Sequence, residues 1–91
     1  MKILKTDRRV IDKGHRYKIE GDLISDKEID LMDLDKPIYV TGYIEAGMFI
    51  YAGRSIQAGG YIEAGGYINA GGYIKAGKYI KAGMFIYAGR S

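Results

Sequence analysis

Residues 59–91 read GGYIEAGGYINAGGYIKAGKYIKAGMFIYAGRS, and nearly the same six letters return throughout. Divided in sixes from Pro37, the chain runs PIYVTG, YIEAGM, FIYAGR, SIQAGG, YIEAGG, YINAGG, YIKAGK, YIKAGM, FIYAGR, which is nine hexads before Ser91. The second place is Ile in all nine, from Ile38 to Ile86; the fourth is Val40 and then Ala eight times; the fifth is Thr41 and then Gly eight times. A flexible linker does not hold an Ile at every sixth place. Within a hexad the alternation has period two, the signature of a strand with Ile and Ala on one face. Gly in the fifth place makes a corner, where positive φ or close backbone approach is needed. A helix is excluded because an interior Gly costs about 1 kcal/mol relative to Ala. Six residues are too few for one limb of a hairpin meander, so each hexad is one side of a coil and the fold class is an all-β solenoid.

Three sides give a coil of 18 residues, so nine hexads make three coils. The segment MFIYAGRS occurs at Met48–Ser55 and again at Met84–Ser91, a spacing of 36. A flat, two-sided coil of 12 divides that spacing too and stands as the alternative. The triangular form is expected, since Ile with Ala fills a narrow triangular core. Side chains 18 apart then stack at about 4.8 Å. The first side presents Pro37, Ser55 and Tyr73 with Tyr39, Gln57 and Lys75; the second presents Tyr43, Tyr61 and Tyr79 with Glu45, Glu63 and Lys81. The third presents Phe49, Tyr67 and Phe85 with Tyr51, Asn69 and Tyr87, flanked by Met48 and Met84 before the strand and by Arg54 and Arg90 after it.

The run Pro37–Ser91, through its Ile-x-Ala-Gly core, resembles bacterial hexapeptide-repeat solenoids and the bactofilin-like, polymer-forming ones. In left-handed hexapeptide acyltransferases the small residue stands two places before the aliphatic one. Here Ala follows Ile by two, so a right-handed coil is expected. The acyltransferase resemblance implies catalytic histidines, and no hexad contains one.

Residues 1–36 do not share the hexad and are expected to form an N-terminal cap with short strands in YKIEGDLIS and EIDLMDL. The ladder is allowed one earlier hexad, LMDLDK, with Met32 and Leu34 inward. Charge is segregated: residues 1–18 hold seven Lys or Arg against two Asp, and residues 19–36 hold two Lys against seven Asp or Glu. The two halves are expected to neutralise each other on folding. Alternatively Arg8, Arg9, Lys13 and Arg16 form a basic arm for a nucleoprotein or direct nucleic-acid partner.

The sequence has no cysteine, a formal net charge of +3, and no apolar run long enough for a signal peptide or a membrane span, so a cytoplasmic protein is expected. No catalytic, metal or cofactor site is expected. GYIKAGK (Gly72–Lys78) matches a phosphate-loop pattern, but Tyr79 follows where Ser or Thr is required and the strand repeat continues. His15 is the single histidine, and Asp30, Asp33 and Asp35 lack the spacing and glycine of a calcium loop.

What remains is surface. An aromatic face flanked by Met and Arg has the composition of an interface core, so Phe49, Tyr51, Arg54, Tyr67, Phe85 and Tyr87 are expected to bind a protein or nucleoprotein. The hexads run at full strength to the last residues, leaving an open coil end. Tyr79, Ile80, Phe85, Ile86 and Ala88 are therefore expected to join two copies in a homodimer. The expected function is a non-catalytic, self-associating interaction protein. Its alternatives are a phage-type inhibitor of a host nuclease complex, in the manner of anti-CRISPR proteins, and a polymer-forming scaffold.

Overall fold

A computed structural model of the chain describes residues 1–89. Its elements are all strands of three residues: β1 (Val10–Asp12), β2 (Tyr17–Ile19), β3 (Leu23–Ser25), β4 (Ile29–Leu31), β5 (Ile38–Val40), β6 (Ile44–Ala46), β7 (Ile50–Ala52), β8 (Ile56–Ala58), β9 (Ile62–Ala64), β10 (Ile68–Ala70), β11 (Ile74–Ala76), β12 (Ile80–Ala82) and β13 (Ile86–Ala88). Each side of the solenoid takes every third strand. The first is β1-β2-β5-β8-β11, the second β3-β6-β9-β12 and the third β4-β7-β10-β13. Pairing is parallel throughout, except that β1 lies antiparallel on β2. Three sheets from successive strands settle the section as triangular and remove the two-sided coil.

The register explains the repeat. Ile38 aligns with Ile56, Ile44 with Ile62 and Ile50 with Ile68, each a step of 18. Ile stacks on Ile and Ala on Ala up the axis. The Ile of β5 through β10 are at most 1% exposed, and the Ala of β6 through β10 at most 3%. Each buried Ile contributes about 1.5–3 kcal/mol of transfer free energy.

There are four coils, not the three expected from the hexads, because β2, β3 and β4 pair with β5, β6 and β7. Here Tyr17 aligns with Ile38, Leu23 with Ile44 and Ile29 with Ile50, each a step of 21. The three additional residues widen the corner between β4 and β5, where Leu34 turns inward and is fully buried. Met32, expected inward beside it, is exposed, with its backbone N–H donating to the Asp30 carboxylate at 2.9 Å. That short local turn ends the strand before Met32 can face the core.

The two ends of the stack differ. Along β4, Asp30 N donates to Met1 O (2.8 Å) and Ile3 N donates to Asp30 O (3.0 Å), with Ile3 fully buried in the core. β1 covers the edge of β2, so residues 1–12 close two of the three sides. At the other end Ile74 and Ile80 are half-buried, and Ile86 is 47% exposed.

Close approach, not positive φ, explains the corner glycines of the hexads, with Gly53 the exception. Among the described residues positive φ is confined to Gly14 and Gly21, both ahead of the hexads. A Cβ on Gly65 would land on the carbonyl oxygen of Gly47, one coil earlier, whereas a Cβ on Gly53 would meet nothing nearer than Met32 O at 3.8 Å. Gly65→Ala should therefore lower stability by about 1–3 kcal/mol through forced backbone movement. Gly53→Ala should be neutral or stabilising by up to about 1 kcal/mol. Thermal melting followed by circular dichroism checks the contrast; equal melting points for the two variants would contradict the corner geometry.

Candidate interaction site

Parallel strands in exact hexad register bring the outward rings of successive coils together. On the third side Phe49, Tyr67 and Phe85 form one stack, with centroid separations of 4.5 and 4.9 Å. Tyr51 meets Tyr67 edge-on at 5.5 Å, and their hydroxyls are 2.7 Å apart in a hydrogen bond. On the second side Tyr43, Tyr61 and Tyr79 stack at 4.5 and 5.0 Å. Tyr61 donates to Glu45 at 2.9 Å and Tyr79 to Glu63 at 3.4 Å. These hydrogen bonds share one sequence separation, 16. The ring in the first place of a hexad leans toward the N-terminus and meets the third place of the coil before it. The sequence carries that step, but only once the coil is known to be 18.

The contacts of Tyr61 and Tyr79 hold their phenols in the neutral form. Burial, then the hydrogen bond to Glu45, pushes the Tyr61 hydroxyl up. Burial and the Glu63 charge do the same for Tyr79. At the first coil, donation to Asp35 at 2.8 Å raises Tyr17 to about 12 and draws Asp35 down, with Lys5 assisting.

The five rings among the six expected face residues thus fall into two groups, with Arg54 apart from both. Phe49, Tyr51 and Tyr67 are half-buried in mutual contact, spending much of their surface on one another. Phe85 is 52% exposed and Tyr87 60%, beside Met84 at 67%. Arg54 is exposed at a shallow corner groove with Pro37, Ser55, Gly72 and Tyr73. Arg90 lies outside the described residues. Of the residues expected to join two copies, Ile80 is half-buried, and Tyr79, Phe85, Ile86 and Ala88 are exposed on the last coil. Among the residues expected to bind, the exposed apolar ones therefore lie on the C-terminal coil rather than along one whole face; elsewhere Leu4, Ile11, Ile24, Met32 and Met48 are also exposed.

The four arm cations have different surroundings. Arg9 is held by Asp7 at 2.7 Å, which keeps the Asp7 carboxyl down at about 2. The Arg16 guanidinium lies 4.8 Å over the Tyr39 ring. Arg8 and Lys13 are exposed and form no ion pair among the described residues. Pairs from the arm to the acidic half include Lys5–Asp35 at 3.3 Å, and Asp12 binds Lys36 at 2.9 Å. Within residues 1–89 no helix is long and apolar enough to cross a membrane, and no group of three or more His, Cys, Asp or Glu is placed to hold a metal ion. Comparison with protein-family models, curated proteins and solved structures finds no significant match to this chain.

The raised phenols set an alkaline limit. A group whose pKa is higher folded than unfolded contributes stability below its unfolded value, and that stability is lost as pH rises through the folded one. The unfolded value is 10.0 and Tyr17 is raised to about 12, so stability should fall from about pH 10 upward. Tyrosinate absorbance should develop late and together with loss of the β signal, and Tyr61→Phe should flatten the dependence. Independent titration of all tyrosines near pH 10 with unchanged melting would contradict this.

Proposed function

We propose that the chain is a non-catalytic interaction protein that pairs with a second copy of itself through its C-terminal coil and offers its aromatic third side to a macromolecular partner. The supporting observation is the last coil. Met84, Phe85, Ile86 and Tyr87 stand exposed together there, and among the described residues β11, β12 and β13 each have a neighbour on one side only. An unpaired strand edge with an apolar core behind it is a template for another chain.

A second copy suits this end in chemistry and spacing. Its last coil carries the same Ile and Ala layer, with donors and acceptors at the same separation along the strand. The N-terminal segment of the same chain is already engaged at the opposite end. Two open ends meeting about a two-fold axis form antiparallel strand pairs and leave the covered ends outward, so the assembly closes. Such a chain stands beside the hexapeptide-type and bactofilin-like solenoids it resembles, as a closed pair instead of a polymer. A protein or nucleoprotein partner suits a side that carries Tyr51, Tyr67 and Phe85 and is followed at its corner by the exposed Arg54, since aromatic and Arg side chains are favoured at interface centres.

Sedimentation or light scattering at micromolar concentration should give the mass of a pair. Ile86→Lys, which puts a charge in the joined core, and Tyr87→Lys, which spares the core, should each give monomers. Wild-type protein that is monomeric and melts normally would overturn self-association through this coil.

A further inference from the structure

The N-terminal segment does more than shield apolar atoms. Lys2 forms a parallel bridge with Asp30, which aligns Met1 with Ile29 and Ile3 with Leu31. Met1-Lys2-Ile3 therefore has the inward, outward, inward order of a hexad strand, and it joins β4 in the parallel sense that every coil uses. It is a fragment of a coil laid where a preceding coil would lie. Applying the same register to β13 of another copy would set Ile86 on Ile29, Tyr87 on Asp30 and Ala88 on Leu31. The segment and the C-terminal coil of a second copy thus fit one and the same edge.

The hold of the segment is modest. Beyond the buried Ile3, its two backbone hydrogen bonds with Asp30 and the β1–β2 pairing, it is fixed by the Met1 ammonium on Glu28 (2.6 Å to the carbonyl, 3.2 Å to the carboxylate), by the ion pairs Lys5–Asp35 (3.3 Å) and Lys36–Asp12 (2.9 Å), and by Lys5 N donating to Asp33 at 3.0 Å. Exposed pairs of this kind are individually weak and screened by salt. It also leaves β3 at the edge of its sheet, with Ile24 exposed.

We propose that residues 1–12 are an assembly stopper: they occupy the N-terminal coil edge that the C-terminal coil of another copy would otherwise take, and so hold a solenoid able to stack head to tail to a closed pair. This rests on self-association through the C-terminal coil. With the edge free, the same C-terminal end can join either another C-terminal end or an N-terminal one, and head-to-tail joining does not close.

Two full-length variants release the segment. Ile3→Asp removes its apolar anchor, and the double change Lys5→Glu with Asp12→Lys breaks the Lys5–Asp35 and Lys36–Asp12 pairs while sparing the core. Each should sediment with an average mass at least about double that of the wild-type pair, growing with concentration. Adding Ile86→Lys to either should abolish the growth. A third variant, Lys2→Cys with Asp30→Cys, ties the segment down when oxidised and should remain a pair at every concentration. If the wild type is a pair and both releasing variants, folded by circular dichroism, remain pairs, the stopper is wrong and self-association stands. If the wild type is monomeric, self-association itself fails.

Discussion

At the corners of this solenoid the backbone of one coil rests against the backbone of the coil before it, with no room for a side chain between them. Gly65 over the carbonyl of Gly47 is the plainest instance, and Gly71 over Gly53 and Gly83 over Gly65 repeat it. That closeness lets corner N–H groups reach a carbonyl one coil earlier, as Gly65 N does to Ala46 O at 3.0 Å and Gly71 N to Ala52 O at 2.9 Å. With the corners fixed, the strands between them have only three residues. Ile and Ala go inward and everything else is surface. Within the hexads the core is a thin, uniform layer of Ile and Ala.

This constraint made much of the fold legible. A glycine every sixth place, with Ile three before it and Ala one before it, gives the strand, the corner and the inward face together, and the ring stacks follow from the step of 18. The first coil was hidden for two physical reasons. Its inward places hold Tyr17, Ile19, Leu23, Ser25, Ile29 and Leu31, which fit the same space without the Ile-x-Ala order of the hexads, and its wider corner shifts the step to 21. The site was less legible than the fold. The third side was readable as a list of rings, but how far Phe49, Tyr51 and Tyr67 use one another up depends on the lean of each ring toward the preceding coil. The pairing of Arg9 with Asp7 and the placement of Arg16 over Tyr39 likewise depend on how the arm folds back.

The asymmetry of the two ends organises the functional reading. One end has an irregular coil, a buried Ile3 and a strand laid across it; the other has Ile86 half in solvent beside Phe85 and Tyr87. The outer ladders link the two. Tyr61 to Glu45 and Tyr79 to Glu63 tie coil to coil on the second side, as Tyr51 and Tyr67 do on the third. A surface that stabilises the stack by such contacts is rigid along the axis, which suits a module that meets partners with little rearrangement.

The wide corner at Leu34 has a consequence for how the chain finds its alignment. Inside the stack, every hexad offers the same Ile and Ala, so sliding one coil past another by six residues leaves the core contacts almost unchanged. The energy of burial is blind to that error. The corner of the first coil is not, because Leu34 has its place only where β4 turns into β5. The irregular coil is thus a registration mark, and the outward Tyr–Glu and Tyr–Tyr contacts repeat its information at each later level. The same indifference means that whole coils can be gained or lost in units of 18 residues without disturbing those that remain, so the length of such a molecule is free to change faster than its cross-section.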